Sequence, residues 1–170
     1  LDYDLTKPTP GFDEDWVLVH RFADRETAAA WAVALRRTQW PTALCLSRQG
    51  LKVLDRSVYP PAENVAKGGY VLSDCEGAPE LLLSATGSEV QLALDVQKDL
   101  SGDGVKVRVV SMPSVELFQG QAPSYRDEVI PPHVTKRVVL EAAVSFGWGS
   151  YLGPEGLMIG VEEFGKSAPY

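Results

Sequence analysis

The stretch ELLLSATGSEVQLALDVQKDL, residues 80–100, decides the fold class of this 170-residue chain. An apolar run ends at the turn Thr86-Gly87-Ser88, and apolar residues then recur at helical spacing. A strand that passes through a glycine turn into a helix is a building unit of α/β proteins. Many phosphate and dinucleotide sites begin in the same way. The stretch therefore predicts a strand-turn-helix unit and raises the question of whether its turn binds a ligand.

The turn lacks the other features of a phosphate-binding loop. A dinucleotide fingerprint needs G-x-G-x-x-G and a P-loop needs G-x-x-x-x-G-K-[ST], whereas this turn has one glycine and no lysine. Ser88 and Gln91 have the spacing of a capping box, which would occupy the free N–H groups of the helix. We therefore interpret residues 86–88 as a structural turn, with a weak anion site as the alternative.

Strand-like and helix-like segments alternate on both sides of this unit. Upstream, the runs at 16–20 and 42–47 flank a helical pattern and predict a β-α-β unit. Downstream, residues 70–72 and 80–86 could pair as antiparallel strands. Further strands are predicted at 105–112, 136–143 and 156–165. The buried stripe of the upstream helix is predicted to be Ala28, Trp31, Ala32 and Leu35.

The predicted fold class is α/β, with a three-layer C-terminal domain. Its mainly parallel sheet is expected to have one antiparallel edge strand. Prolines, a Gly-Gly pair and the lack of a clear period make residues 51–68 a linker. The domain division that follows is an irregular lead-in at 1–15, the β-α-β unit at 16–50, and the C-terminal domain at 69–170.

Composition argues against several classes of partner. The formal net charge is -7, and the lysines and arginines form no cluster beyond Arg36-Arg37. We therefore expect neither nucleic-acid binding nor attachment to an anionic membrane. No apolar run approaches the roughly 18 residues of a membrane span, and no signal peptide is recognisable. Cys45 and Cys75 have no metal-ligand spacing with the histidines, so Cys45 is expected to be a buried, inert thiol.

Arg48 is the candidate binding residue. It follows a predicted strand directly, and α/β folds place ligand groups at the carboxyl ends of strands. A guanidinium there could hold a phosphate with two parallel hydrogen bonds. Pairing with a linker carboxylate such as Asp55 is an equally good interpretation of the residues alone.

The other polar and aromatic candidates are weaker. Glu141, and Glu162 with Glu163, end two predicted strands and could form an acid/base pair, although solvation or pairing with arginines is favoured. His133 lies in a loop without a partner at recognisable spacing. The aromatic residues Phe146, Trp148 and Tyr151 suit either an interface between domains or subunits, or the core.

Several blocks of the chain closely resemble the C-terminal part of transketolase. They extend in order from about residue 17 to the end and are PTALCLSRQGLKVLDRS, GGYVLSDCEGAPELLLSATGSEVQLALDVQKDL, VKVRVVSMPSVELFQGQ, YRDEVIPPHVTKRVVLEAAVSFGW and IGVEEFGKSAP. The resemblance implies an enzyme that uses thiamine diphosphate and a divalent metal, Mg²⁺ or Ca²⁺. Such an enzyme transfers two-carbon ketol units between sugar phosphates in the pentose phosphate pathway and the Calvin cycle. It implies three α/β domains in a homodimer, and a cytoplasmic location, or a plastid one in a photosynthetic eukaryote.

The resemblance also implies what this chain would contain. Residues 16–50 would be the end of the middle, pyrimidine-binding domain, and 69–170 most of the C-terminal domain. The lead-in LDYDLTKPTPGFDED does not match the family's middle-domain block. The catalytic glutamate and the cofactor and metal ligands of the family are not matched either. We therefore expect the chain alone to be inactive and to bind no cofactor by itself. Arg48 matches the arginine of the family's SRQ motif, which contacts the substrate phosphate.

Two other hypotheses are kept open. The first is a related thiamine-diphosphate enzyme, such as deoxyxylulose-phosphate synthase or a 2-oxoacid dehydrogenase β subunit. The motifs SRQ, SATGSEV and SMPS favour transketolase over both. The second is a non-catalytic module that retains the domain for dimerisation or for sensing a ligand.

Overall fold

The computed structural model describes residues 17–19, 25–47 and 50–163, whose strands form two sheets. In the smaller sheet, β1 (Val17–Val19) pairs in parallel with β2 (Thr42–Leu44). Helix α1 (Arg25–Arg36) connects these two strands. The predicted β-α-β unit is therefore confirmed.

The larger sheet consists of five strands. In chain order these are β3 (Tyr70–Ser73), β4 (Leu81–Ala85), β5 (Val107–Ser111), β6 (Arg137–Leu140) and β7 (Leu157–Ile159). Their spatial order is β3-β5-β4-β6-β7, and all neighbours are parallel except β3 and β5. The mainly parallel sheet with one antiparallel edge strand is confirmed. The predicted pairing of 70–72 with 80–86 is wrong, because β5 and β6 occupy both edges of β4.

Helices cover both faces of the larger sheet. They are α2 (Glu89–Gly102), α3 (Val115–Gln119), α4 (Pro123–Val129), α5 (Gly149–Leu152) and a 3-10 helix at Ala62–Lys67. Because side chains alternate along a strand, Leu83 and Leu82 of β4 enter different core clusters. The cluster of Leu83 contains side chains of α1, α2 and the 3-10 helix, and the cluster of Leu82 those of α4 and α5. In the described part of the chain, no helix is long and apolar enough to cross a membrane.

Helix α1 buries a different face from the predicted one. Glu26, Ala30 and Val33 are buried, whereas Trp31 is 54% and Leu35 76% exposed. Ala30 and Val33 share a core cluster with Val65 of the 3-10 helix. The predicted stripe is therefore wrong. The spacing of apolar residues correctly predicted a helix, but α1 has two apolar stripes, and the 3-10 helix packs against the one with the smaller side chains, Ala30 and Val33.

The helix starts agree only partly with the predicted caps. Ser88 makes no capping hydrogen bond; its hydroxyl donates to Glu89 Oε1 at 2.8 Å, and Gln91 donates to Asp95. The predicted capping box is therefore wrong. By contrast, the hydroxyl of Ser114 caps α3 by accepting from the backbone N–H of Leu117 at 3.3 Å.

The linker enters the domain through a close backbone junction at Gly68 and Gly69. Gly68 ends the 3-10 helix with a φ of 78°, and its carbonyl accepts from the N–H of Ser114 at 2.9 Å. The carbonyl of Gly69 accepts from the Tyr125 hydroxyl at 2.8 Å. The start of β3 is thereby fixed to α3 and α4.

Candidate functional site

The turn at 86–88 is closed by backbone bonds and covered by the linker. The N–H of Glu89 donates to the carbonyl of Thr86 at 3.0 Å, and that of Val90 to Gly87 at 3.4 Å. The cavity beside Gly87 and Ser88 measures only about 20 Å³, because residues of the linker between Leu51 and Leu54 line its other side. That volume is about enough for one water molecule. The geometry supports a structural turn. The linker, rather than a capping box, leaves no space for a ligand at this turn.

A buried carboxylate lies next to this turn, at the carboxyl edge of the parallel strands. Glu141 follows β6 and is 3% exposed, and the fully buried hydroxyl of Thr86, which follows β4, donates to its Oε2. Its backbone N–H donates to the carbonyl of Ile159 at 3.1 Å. The other carboxylate oxygen, Oε1, is buried without a hydrogen-bond partner among the described residues. The carboxyl edge of the sheet therefore has one buried acceptor that no described residue satisfies.

The carboxylates that follow β6 and β7 lie in different surroundings. Glu162 is exposed, and its Oε1 accepts from the backbone N–H of Ser145 at 3.0 Å, whereas Glu141 is buried against Thr86. Glu163 is exposed, as is His133. Neither Glu141 nor Glu162 pairs with an arginine in the part of the chain that the structure describes.

Arg48 lies outside the described residues, together with Gln49. Its role as a phosphate ligand therefore stays a prediction. Asp55, the carboxylate of the alternative interpretation, accepts from both the N–H and the hydroxyl of Ser57, at 2.9 and 2.7 Å. The hydroxyl bond and then the N–H bond lower the pKa of Asp55.

A buried polar cluster ties the segment after Arg48 to the rest of the protein. A guanidinium nitrogen of Arg56 lies 3.0 Å from Oε1 of Glu26 in α1, and the hydroxyl of Tyr70 in β3 donates to the same oxygen. A second guanidinium nitrogen of Arg56 donates to the carbonyl of Pro60 at 2.7 Å. Three parts of the chain, α1, the linker and β3, therefore meet at one carboxylate.

Burial and charge set the protonation of this cluster. Burial, followed by the charge of Glu26, raises the pKa of Tyr70 well above its usual value, so the phenol stays a donor at neutral pH. Burial alone would lower the pKa of Arg56, but hydrogen bonds to Tyr70 and Glu26 outweigh it and the net direction is upward. Sequence reasoning missed this cluster because Glu26 and Tyr70 are 44 positions apart.

The remaining candidates divide between core and surface. Trp148 and Tyr151 are buried in the second core cluster, with ring centroids 5.9 Å apart, whereas Phe146 is 93% exposed. Cys45 and Cys75 are free and half-buried, so Cys45 is less buried than predicted. No group of three potential metal-ligating side chains occurs among the described residues.

Comparison with known proteins relates the chain to one family. The family model described as "Transketolase-like TK C-terminal domain" matches residues 68–170. The transketolase of Aquifex aeolicus is 50% identical over 155 residues, which are 91% of this chain and 22% of that protein. That of Geobacillus stearothermophilus is 51% identical over 145 residues, 85% of this chain and 22% of that protein. This chain thus spans about a fifth of the length of these relatives.

Solved structures give the same relationship. The transketolase of Leishmania mexicana superposes with a TM-score of 0.81 at 42% identity, covering 91% of this chain and 22% of that one. A Pichia stipitis transketolase, solved in complex with sedoheptulose 7-phosphate, superposes with a TM-score of 0.78 at 34% identity. That alignment covers 89% of this chain and 21% of that one.

Proposed function

Because this chain belongs to the transketolase family, we propose that it is the C-terminal part of an enzyme that transfers two-carbon ketol units between sugar phosphates. The observation that carries this proposal is the 50% identity to a curated transketolase over 91% of the chain. The relatives compared above are all transketolases, and no observation favours deoxyxylulose-phosphate synthase or a 2-oxoacid dehydrogenase. We assign the enzyme to pentose phosphate metabolism.

Among the described residues there is no group of three side chains that could ligate the divalent metal. In our proposal other parts of the enzyme hold the cofactor and its metal, and this chain contributes binding and assembly.

Substrate binding is assigned to the loop after β2. Arg48 would hold the phosphate group of the sugar through two parallel hydrogen bonds from its guanidinium. The buried pair of Arg56 with Glu26 supports this assignment indirectly, since it fixes the segment that follows Arg48 to α1, the helix that precedes β2. The Pichia stipitis relative that was solved with sedoheptulose 7-phosphate is consistent with a phosphorylated substrate.

Replacement of Arg48 by alanine in the full-length enzyme tests the anchor role. We expect the KM for a phosphorylated ketose to rise by about 10- to 100-fold, because a charge-assisted bond is lost. The KM for an unphosphorylated ketol donor should stay the same. Steady-state kinetics with both donors measures the difference, and Arg36→Ala, at the exposed end of α1, is the control variant. An unchanged KM for the phosphorylated ketose would show that Arg48 is not the anchor.

The second expected result concerns the 170-residue chain by itself. Supplied with thiamine diphosphate, Mg²⁺ and two sugar phosphates, it should give no ketol transfer above the buffer rate. A coupled spectrophotometric assay measures this rate, and circular dichroism establishes that the chain is folded. Ketol transfer by the folded chain would refute the assignment of catalysis to the rest of the enzyme.

We further propose that the chain contributes to a homodimer. Large apolar side chains are exposed on α1 and in the region of β7, and exposed apolar surface of this kind is available for contact with a second subunit. They include Trp31, Leu35, Phe146, Leu157 and Ile159. A non-catalytic module that only dimerises would also use these residues, so their exposure does not distinguish such a module from an enzyme. The kinetic tests above make that distinction.

A further inference from the structure

An open cavity of about 640 Å³ lies on the face of the sheet that α4 and α5 cover. Its volume is within the range of small-molecule sites, which is about 300–1,000 Å³. Its walls come from α3, α4, α5 and the first residue of β6. The lining includes Phe118, Gln119, Arg126, Arg137, Ser150 and Tyr151.

Two arginines face this cavity without a carboxylate partner in the part of the chain that the structure describes. Nε of Arg126 is buried and has no hydrogen-bond partner there. Arg137 donates only to backbone carbonyls, from Nε to Val134 at 2.7 Å and from Nη2 to Pro131 at 3.0 Å. Three of the five N–H donors of Arg137 therefore remain available for a ligand.

Two other arginines, one in the linker and one in β5, are arranged differently. Arg56 pairs with Glu26 at 3.0 Å, and Arg108 pairs with Asp74 at 2.8 Å through two hydrogen bonds. The cavity arginines thus lack the carboxylate partner that Arg56 and Arg108 have. Burial lowers the pKa of Arg137, as expected for a cation that has lost water without gaining an anion.

The charge balance of the cavity favours an anion. Asp127 also lines it, so the walls carry two guanidinium groups and one carboxylate. Asp127 is exposed, whereas the two arginines are partly buried. Among the lining residues, the positive charge is therefore on the less hydrated side chains, where an electrostatic attraction is stronger.

The remaining lining suits an organic group attached to the anion. Phe118 and Tyr151 provide aromatic surface, with ring centroids 6.1 Å apart. Ser150 contributes a hydroxyl and Gln119 an amide. One guanidinium satisfies a carboxylate with two bonds, whereas a phosphate has oxygens for two guanidinium groups. Two arginines at one cavity therefore favour phosphate over carboxylate.

We propose that this cavity binds a small organic phosphate, with the phosphate between Arg126 and Arg137 and the organic part against Phe118 and Tyr151. This assigns the C-terminal domain a ligand site of its own, which goes beyond the proposed ketol transfer.

Arginine labelling tests the proposal on the full-length wild-type protein. Phenylglyoxal modifies accessible guanidinium groups, and peptide mapping by mass spectrometry gives the rate at each arginine. We expect saturating ribose 5-phosphate to slow labelling of Arg126 and Arg137 by about tenfold, relative to chloride at equal ionic strength. Arg36, which is exposed, is the internal control. Labelling of both cavity arginines that is unaffected by about 10 mM ribose 5-phosphate would overturn the proposal.

Titration calorimetry on variants provides the second test. Arg126→Gln combined with Arg137→Gln should weaken the binding of ribose 5-phosphate at this site by at least about tenfold. Both wild type and variant carry Arg48→Ala, so that the proposed substrate anchor does not contribute. Inorganic phosphate is the comparison ligand: weaker binding than ribose 5-phosphate supports an organic ligand, and equal binding contradicts one. If the double variant does not fold, the labelling of the wild-type protein decides.

Discussion

Gly68→Ala is expected to destabilise the C-terminal domain strongly, with a loss of more than about 4 kcal/mol in the free energy of unfolding. Gly68 has a φ of 78°, which L side chains rarely adopt. A Cβ there would lie 2.2 Å from the backbone nitrogen of Phe118 and 2.4 Å from the carbonyl oxygen of Ser114. Both are backbone atoms, one in α3 and one in the residue that caps it, so neither can rotate away as a side chain could. Urea denaturation followed by circular dichroism measures the loss.

A second glycine separates the two causes of this loss. Gly104 has a φ of 85°, but a Cβ there would meet nothing within 4 Å. Gly104→Ala should therefore cost only about 1 kcal/mol, which is the conformational penalty alone. If the two substitutions cost the same, the close approach at Gly68 is not what the domain depends on.

Arg56→Met is the second substitution with a large expected effect, a loss of about 3 kcal/mol. It removes the positive charge beside Glu26, which is 8% exposed. Among the described side chains, only the hydroxyl of Tyr70 would then donate a hydrogen bond to this buried carboxylate. The aliphatic part of the side chain is kept, so packing changes little. The free energy of unfolding at neutral pH is the quantity to measure.

A double-mutant cycle isolates the charge interaction. Glu26→Gln in the Arg56→Met background should recover part of the loss, because the uncompensated charge is then removed. The comparison is the pair of Arg108 with Asp74, whose carboxylate is 43% exposed: Asp74→Asn should cost less than about 1 kcal/mol. A loss at Arg56 no larger than that at Asp74 would contradict the importance of burial.

Local sequence patterns were enough to predict the elements that are determined by residues close together in the chain. The unit from β4 to α2 follows from an apolar run, a glycine turn and helical spacing, and the Ser114 cap from one hydroxyl. The alternation of strands and helices was enough to predict a mainly parallel sheet. The strand beside β3 was not predictable in the same way, because both 80–86 and 105–112 are apolar and only packing in three dimensions chooses between them.

The candidate site was predicted less completely, since its contacts join distant positions. Thr86 and Glu141 are 55 positions apart, and neither has a motif that points to the other. The cavity arginines come from α4 and β6, and nothing in their spacing distinguishes them from surface charges. Arg48 was found by its position after a strand and by its SRQ motif, and it lies outside the described residues.

The antiparallel strand β3 has a consequence for synthesis on the ribosome. It is the first strand of its sheet to be synthesised, but its partner β5 begins only at Val107. The hydrogen bond from the N–H of Ser114 to the carbonyl of Gly68 also cannot form until Ser114 has been synthesised. Until then β3 has no strand to pair with, and its apolar residues Tyr70 and Leu72 are open to other nascent chains. Long-range pairing of this kind is slow and prone to aggregation. A chaperone that covered β3 until β5 had been made would therefore protect these two residues.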